Sequence, residues 1–315
     1  MATERIGFIG LAKQSVKDFI DDDCMDSAAA LSYYTIFSLP AVLVLLLMLL
    51  SAVMNASDVR GGLEGRLESM MGPTAGDQVR TIIQQAEHKP QHGFLPTVLG
   101  IAGLLFGATG ALGQLQKTLN RTWSVEPDPN QGGIKNFLSK RLFSFGMILM
   151  IAFFLLISLM LSAALTGLGG RLGGFLPSGI SGAFLEGVNS LVSFAVITVL
   201  FATMFKVMPD AKITWRSVWV GAVVTAVLFV IGKFAIGLYL GKSNPGQAYG
   251  AAGSLAVLLL WIYYSSLILL FGAEFTETWA KRRGEGIEPE RGAVLVQREK
   301  QRVESSAPRP ADGRI

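Results

Sequence analysis

The sequence predicts an all-α, polytopic membrane protein with six transmembrane helices and with amphipathic helices at the membrane interface. Six long stretches hold almost no charge: 27–57, 90–116, 142–170, 187–205, 243–273 and, broken only by Lys233, 217–241. About 20 apolar residues in a helix cross a bilayer core of roughly 30 Å. Charged residues make up only 16% of the chain, against about 25% in ordinary globular domains. Leu43 to Leu47 run without a polar residue, which favours helices over the alternating strands of a barrel.

The first 27 residues are predicted to form an amphipathic cytoplasmic segment. Apolar residues recur at helical spacing from Phe8 to Ile20, whereas Lys13 and Lys17 fall elsewhere on the helical wheel. Such a helix either lies in the membrane interface or packs against another part of the protein. The pattern leaves both alternatives open.

Six spans are predicted to make up a transmembrane domain over 28–280. We place them near 28–53, 95–115, 142–166, 187–207, 216–241 and 252–278. A loop of about 40 residues separates the first two spans, and its apolar spacing indicates two further amphipathic segments. The polar residues 281–315 are expected to form a disordered, basic cytoplasmic tail.

Basic residues predict the orientation of the chain. Of the 27 Lys and Arg residues, 20 fall on the side of the two termini and six on the opposite side, with Lys233 inside a span. Because cytoplasmic loops carry the excess of Lys and Arg, both termini are expected in the cytoplasm. This topology accounts for the net charge of +4, so the charge does not indicate a nucleic-acid partner.

The second predicted span carries a stripe of small residues on one face, formed by Gly100, Gly103, Gly107 and Gly110. Small residues let helix backbones approach closely in lipid. The stripe is therefore expected to be a helix-packing face. An alternative is that it lets a neighbouring helix slide during a transport cycle.

Polar residues follow this stripe, at the cytoplasmic end of the span. Gln116, Asn120 and Arg121 come directly before Trp123, a residue common at membrane interfaces. They either mark the inner boundary of the span or line a cytoplasmic vestibule.

Lys233 is the one ionisable residue well inside a predicted span. It lies 17 residues after Arg216, about 25 Å along a helix, so we expect it in the outer half of the bilayer. A buried lysine there needs an anionic partner, and Glu186 is the candidate by depth. The alternative is that the side chain snorkels to the outer headgroups.

Two other spans carry weaker signals. Near the inner end of the last span, Glu274 follows an apolar run, and Glu277 is four residues before Lys281, a spacing that allows an ion pair. In the first span, Pro40 is able to kink the helix. The candidate functional residues are Lys233, Glu186, Glu274, Gln116, Asn120, Arg121, Arg216, Tyr33, Tyr34 and Pro40.

No residue pattern predicts a catalytic, metal or cofactor site. Cys24 is the only cysteine, and Pro90 separates the only two histidines, His88 and His92. Asp21, Asp22 and Asp23 are consecutive and Asp26 follows closely, but the cluster lacks His partners, so we interpret it as solvated. We therefore expect a protein that is not an enzyme and binds no cofactor.

Several fragments, in this order and spacing, resemble the YihY / virulence factor BrkB family of bacterial inner-membrane proteins. They are Ala28–Tyr34, Phe37–Pro40, Leu115-Gln116, Leu119–Trp123, Met208-Pro209-Asp210, Trp215-Arg216, Gly221-Ala222, Leu258–Tyr264 and Gly272-Ala273-Glu274. The resemblance covers roughly 10–283. It implies a six-spanning protein of the bacterial inner membrane. It does not imply a molecular function, because suggestions for the family range from lipid transport to cation exchange.

Our leading hypothesis is a transporter or flippase-like protein for a lipid or another amphiphilic envelope component. The absence of a predicted soluble catalytic domain and the scarcity of polar groups within the spans favour it. Two alternatives remain: a cation/proton exchanger, and a non-transporting scaffold or regulator of the envelope. Membrane lipids are the expected partners, and the sequence leaves open whether copies of the chain associate.

Overall fold

The computed structural model describes residues 8–71, 77, 80–81, 83–84, 94–128, 142–158, 160–161, 178–243, 251–290 and 292–296. Its helices are α1 (Phe8–Asp21), α2 (Cys24–Ser51), α3 (Ala56–Met71), α4 (Phe94–Thr122), α5 (Leu142–Ser158), α6 (Ser178–Val207), α7 (Trp215–Ser243) and α8 (Ala251–Arg282). Its short strands are β1 (Val125–Pro127), β2 (Ala211–Lys212), β3 (Glu288–Pro289) and β4 (Ala293–Leu295). The predicted helical architecture is confirmed.

Four helices within the described residues are long and apolar enough to cross a bilayer. These spans are Cys24–Ser51, Gly187–Val207, Trp215–Leu238 and Leu255–Arg282. Helix α4 coincides with the second predicted span, and the shorter apolar helix α5 with the third. The multipass membrane character is thus confirmed, and the count of six stays a prediction.

Helix α1 packs against the rest of the protein through one face. Leu11 is fully buried, and the ring of Phe19 lies 6.2 Å from the ring of Phe271 in α8. On the other face Ile9 and Val16 are exposed. The sequence left open whether this helix lies in the membrane interface or packs against the protein, and the contacts confirm packing for the face that carries Leu11. The exposed face has the character expected of an interfacial helix.

A continuous series of aromatic rings links three of the helices with the end of α4. Trp123 packs edge-on against Phe205, which stacks on Phe201; Phe201 meets Phe229, and Phe229 meets Trp261. Successive ring centroids are 5.8–6.2 Å apart, within the favourable range for aromatic pairs. This series ties α4, α6, α7 and α8 into one core.

Helices α7 and α8 approach each other at two reciprocal glycine–threonine contacts, which we call the α7–α8 seam. A Cβ at Gly221 would overlap the side chain of Thr276, and a Cβ at Gly272 would overlap that of Thr225. Each threonine donates its hydroxyl to the carbonyl of the glycine four residues earlier in its own helix, at 2.6–2.7 Å. Each hydroxyl hydrogen is therefore satisfied inside its own helix, and the Oγ1, Cβ and Cγ2 atoms of each threonine occupy the space beside the glycine of the other helix.

The segment after the last helix is ordered, contrary to the expectation of a disordered tail from residue 281. Strand β3 pairs antiparallel with β2, and strand β4 pairs antiparallel with β1. The pairing gives the backbone groups of this polar segment hydrogen-bond partners that composition alone does not reveal. The expectation is wrong for 288–289 and 293–295, and residues 297–315 lie outside the described part.

The same segment contacts the start of α7. The hydroxyls of Ser217 and Thr214 donate to one carboxylate oxygen of Glu285, and Arg283 Nε donates to the other at 3.2 Å. The Ser217 and Thr214 hydrogen bonds hold the pKa of this carboxyl below its usual range, and Arg283 adds to the effect. A carboxylate at this position also complements the positive end of the α7 dipole.

Candidate functional site

A cavity of about 920 Å³ lies between α2 and α4 at the end of the bundle that carries the strands. Its mouth is charged, with Asp26 from α2, Lys117 and Arg121 from α4, and Glu126 from β1. The helices run antiparallel here, because α2 leaves this end and α4 returns to it. Its volume is in the range of small-molecule sites.

The lining of the cavity changes from charged to neutral along the axes of α2 and α4, away from the end that carries the strands. Tyr34 and Thr109 line the deeper part, each eight residues from the charged residue of its own helix, about 12 Å along an α-helix. Gly110 and Gly113 lie between, and a Cβ at either position would meet no heavy atom of the described residues within 4 Å. The glycines therefore widen the cavity.

Exposed aromatic side chains continue from the cavity along both helices. On α2, Tyr33 is 60% exposed and Phe37 is 70% exposed, with their ring centroids 4.8 Å apart. On α4, Phe106 is 61% exposed, one turn beyond Thr109 and Gly110. An amphiphile with its polar end in the cavity would meet these rings with its apolar part.

Two residues that line the cavity also hold a turn of the chain. Asn120 Nδ2 donates to Asp210 Oδ2 at 2.7 Å, and the Asp210 backbone N–H donates to Asn120 Oδ1 at 2.8 Å. Gln116 Nε2 donates to the other carboxylate oxygen at 3.1 Å. Both amides are buried, so these bonds attach the turn between α6 and α7 to α4. Gln116 and Asn120 are among the residues predicted from the sequence, whereas Asp210 is not, although it belongs to the family-like fragment Met208-Pro209-Asp210.

Arg121 is paired at the rim of the same cavity. Its Nη2 donates to Asp23 Oδ2 at 2.7 Å. Asp23 forms the bend between α1 and α2, with a positive φ of 50°. The guanidinium thus neutralises one of the aspartates that the sequence suggested were solvated, and it fixes the entry into α2.

The glycines of the predicted stripe differ in their surroundings: one packs against a neighbouring helix, and others face open space among the described residues. A Cβ at Gly107 would lie 3.3 Å from Ala41 Cβ, so this glycine is in contact with α2. A Cβ at Gly103 or Gly110 would meet no heavy atom of the described residues within 4 Å. The surroundings of Gly100 lie outside the described residues. A packing role stays a prediction for the stripe as a whole.

Glu274 is fully buried beside α2. Cys24 Sγ lies 3.3 Å from Glu274 Oε1 and donates to it, whereas Oε2 has no hydrogen-bond partner within the described residues. One turn further, Glu277 pairs with Lys281 at 2.8 Å, which confirms the predicted i,i+4 contact. Among the described residues no group of His, Cys, Asp and Glu has the arrangement of a metal site.

The remaining candidates lie apart from the cavity. Lys233 is half-buried, with its Nζ 5.9 Å from the centroid of the neighbouring, exposed Phe234 ring. The side chain of Glu186 lies outside the described residues, so their pairing stays a prediction. Arg216 is exposed near the start of α7, and α2 continues in helical form through Pro40.

A sequence profile of the family described as virulence factor BrkB matches residues 15–294. The chain belongs to this family. The match extends through β3 and into β4, beyond the limit near residue 283 expected from the family-like fragments. The matched residues therefore include β3 and most of β4.

Three relatives carry the name UPF0761 membrane protein. The chain is 31% identical to that of Psychrobacter sp. (strain PRwf-1), over 84% of this chain and 47% of the relative. It is 30% identical to that of Pseudomonas aeruginosa (strain LESB58), over 81% and 59%, and 31% identical to that of Alteromonas mediterranea, over 83% and 84%. The chain spans about half to three-fifths of the length of the first two of these relatives. No solved structure matches it.

Proposed function

We propose that this member of the BrkB family moves an amphiphilic envelope component, such as a lipid, between the two leaflets of the bacterial inner membrane. In this proposal both termini lie in the cytoplasm and the cavity opens toward the cytoplasmic leaflet. The observation that carries the proposal is the graded lining between α2 and α4, which is charged at the mouth, neutral and small further in, and aromatic beyond.

This gradient matches an amphiphile in shape and polarity. A soluble polar substrate would gain nothing from the exposed rings of Tyr33, Phe37 and Phe106, and an ion would not need a cavity of about 920 Å³. Moving a lipid tail from the bilayer to apolar side chains changes its free energy little, because both surroundings are apolar. A headgroup, in contrast, needs polar partners inside the apolar region.

Translocation in this scheme requires α2 and α4 to separate beyond the cavity. The contact that closes the path is Gly107 against Ala41. Small residues let two helix backbones approach closely, so opening the path in this scheme requires α2 to move away from α4 at this contact. The α7–α8 seam supplies the fixed part of the bundle.

The experiment is leaflet exchange in proteoliposomes. Phospholipid with a fluorescent label on one acyl chain, which leaves the headgroup free, is incorporated in both leaflets, and a membrane-impermeant reductant quenches the outer one. We expect the protected inner-leaflet fluorescence to be lost with the protein and retained in protein-free vesicles, with a pH or sodium gradient imposed in separate samples. Retention in every sample would contradict the proposal.

A matched pair of variants ties the flux to the cavity. Gly110→Leu fills the cavity, and Gly237→Leu places the same side chain on α7 where a Cβ would also meet no described atom within 4 Å. The proposal expects Gly110→Leu to lose exchange and Gly237→Leu to keep it. Equal loss in both would indicate a general effect of the larger side chain.

A second candidate function is cation/proton exchange, and the buried carboxyl of Glu274 favours it. An acidic group buried without a cation is a feature of proton-coupled transporters. The test is Na⁺ and H⁺ flux in the same vesicles with Glu274→Gln. Ion flux that depends on Glu274 without lipid exchange would favour this function. No flux of either kind, with stable copurifying proteins, would favour a scaffold.

A further inference from the structure

We infer that the cavity between α2 and α4 recognises a zwitterionic phospholipid headgroup, with Lys117 binding the phosphate and Asp26 binding the ammonium. This inference rests on the proposed function and names the substrate class for the same cavity. It depends on which charges at the mouth remain without partners.

Among the described residues, four charged side chains line the mouth, and two of them are engaged elsewhere. Arg121 is paired with Asp23 at 2.7 Å, and Glu126 has interactions of its own. Asp26 and Lys117 make no ion pair or side-chain hydrogen bond within the described residues, and both are exposed to the cavity. One cation and one anion are therefore left to bind a ligand.

A ligand that carries both signs satisfies this pair better than an anion does. A phosphate oxygen can accept from the Lys117 ammonium, and a primary ammonium can donate to the Asp26 carboxylate. A purely anionic headgroup would gain the first contact but place its charge beside an uncompensated Asp26. Such a repulsive element is how sites discriminate against a competing ligand.

The neutral part of the lining suits the glycerol and ester groups that follow the headgroup. Tyr34 offers a hydroxyl at that depth, and Gly110 and Gly113 leave room for the groups. Beyond them the exposed rings of Phe37 and Phe106 begin. The charged, neutral and aromatic parts of the lining thus follow one another in the same order as the headgroup, the glycerol esters and the acyl chains of a phospholipid.

The test is calorimetric binding of short-chain phospholipids to the purified full-length chain in detergent. The probes are dihexanoyl phosphatidylethanolamine, dihexanoyl phosphatidylglycerol and free phosphoethanolamine. We expect the zwitterionic lipid to bind about tenfold more tightly than the anionic one, since one charge-assisted contact distinguishes them. Equal binding of free phosphoethanolamine and of the zwitterionic lipid would overturn the assignment to a lipid.

Two variants separate the roles of the charges. Lys117→Gln should weaken both lipids about tenfold, whereas Asp26→Asn should weaken only the zwitterionic lipid and abolish the preference. The matched controls are Lys13→Gln on α1 and Asp58→Asn on α3, both exposed side chains that do not line the cavity. An unchanged preference in Asp26→Asn would overturn the inference, as would a loss of binding in the controls.

The binding and flux experiments fail independently. Selective binding that follows Asp26 and Lys117, without exchange in proteoliposomes, would support the headgroup site and contradict transport. Lipid exchange with no preference between the two headgroups would support transport and contradict this inference.

Discussion

Helices α7 and α8 meet at glycines that leave no spare space, whereas α2 and α4 part around glycines that face a cavity. At the α7–α8 seam, a threonine of the other helix occupies the space beside Gly221 and beside Gly272. At the cavity, Gly110 has no described heavy atom within reach of a Cβ. Glycine therefore allows close packing between one pair of helices and leaves space for a cavity between another pair. In this account the closely packed pair is the fixed part of the bundle, and the pair around the cavity is the part that binds a ligand.

The largest effect is expected from Gly221→Val, which forces a branched side chain into Thr276. Overpacking costs about 1–3 kcal/mol and occasionally more, and we expect the upper end, because Thr276 Cβ itself obstructs the new side chain. Thermal unfolding in detergent, followed by size-exclusion chromatography, measures the loss.

The control for this change lies on the same helix. Gly237→Val adds the same atoms where a Cβ meets no described neighbour within 4 Å and should shift the midpoint little. Combining Gly221→Ala with Thr276→Gly should recover stability lost by Gly221→Ala alone. No recovery would show that the seam is not held by this contact.

Gly107→Leu should cost about 2 kcal/mol, less than the seam variant. A Cβ there would lie 3.3 Å from Ala41 Cβ, a close contact that α2 can relieve by a small shift away from α4. The same unfolding measurement applies, with Gly103→Leu on the same helix as the control. A variant that melts like the parent would show that Gly107 does not pack against α2.

Asn120→Ala should cost about 1–3 kcal/mol, because it leaves the Asp210 backbone N–H and a carboxylate oxygen without their partner. The exposed amide of Asn55, which donates to Asp58 at 3.4 Å, gives the matched control Asn55→Ala. We expect the control to have almost no effect. Equal effects would mean that the contact with Asp210 does not hold the turn.

The smallest effect concerns acid sensitivity at the α7 start. Folding lowers the pKa of Glu285 from its ordinary value of 4.5, so the stabilisation is complete above that value and is lost as pH falls through the lowered pKa. Glu285→Gln should therefore flatten the decline in unfolding midpoint between about pH 5 and pH 3. Ser217→Ala, which removes one donor, should flatten it partly. A decline as steep as the parent's in both variants would exclude this carboxyl as its source.

The spans were predictable because a missing charge is a local property of the sequence. A charge in lipid carries a desolvation cost, so charges are missing from runs such as 27–57 and 187–205, which fall on two of the described helices that are long enough to cross a bilayer. The i,i+4 pair of Glu277 and Lys281 was predictable for the same reason, since it depends on one helix only.

Features that depend on two distant segments were not predictable. The contact of Gly221 with Thr276 needs the register of α7 against α8, and no spacing within either helix contains it. Asp26 and Lys117 line one cavity although 91 positions separate them in the chain. The ordered strands β3 and β4 were missed because their partners lie far earlier in the chain, after α4 and α6.

The most direct measurement is lipid exchange by a protein whose α2 and α4 are joined across their contact. Ala41→Cys with Gly107→Cys, in a Cys24→Ser background, places two sulfurs where the Cβ atoms are close enough for a disulfide. We predict that the oxidised protein exchanges no lipid and that reduction restores exchange. Equal exchange in the oxidised and reduced protein would contradict the account, because α2 and α4 would then not need to separate.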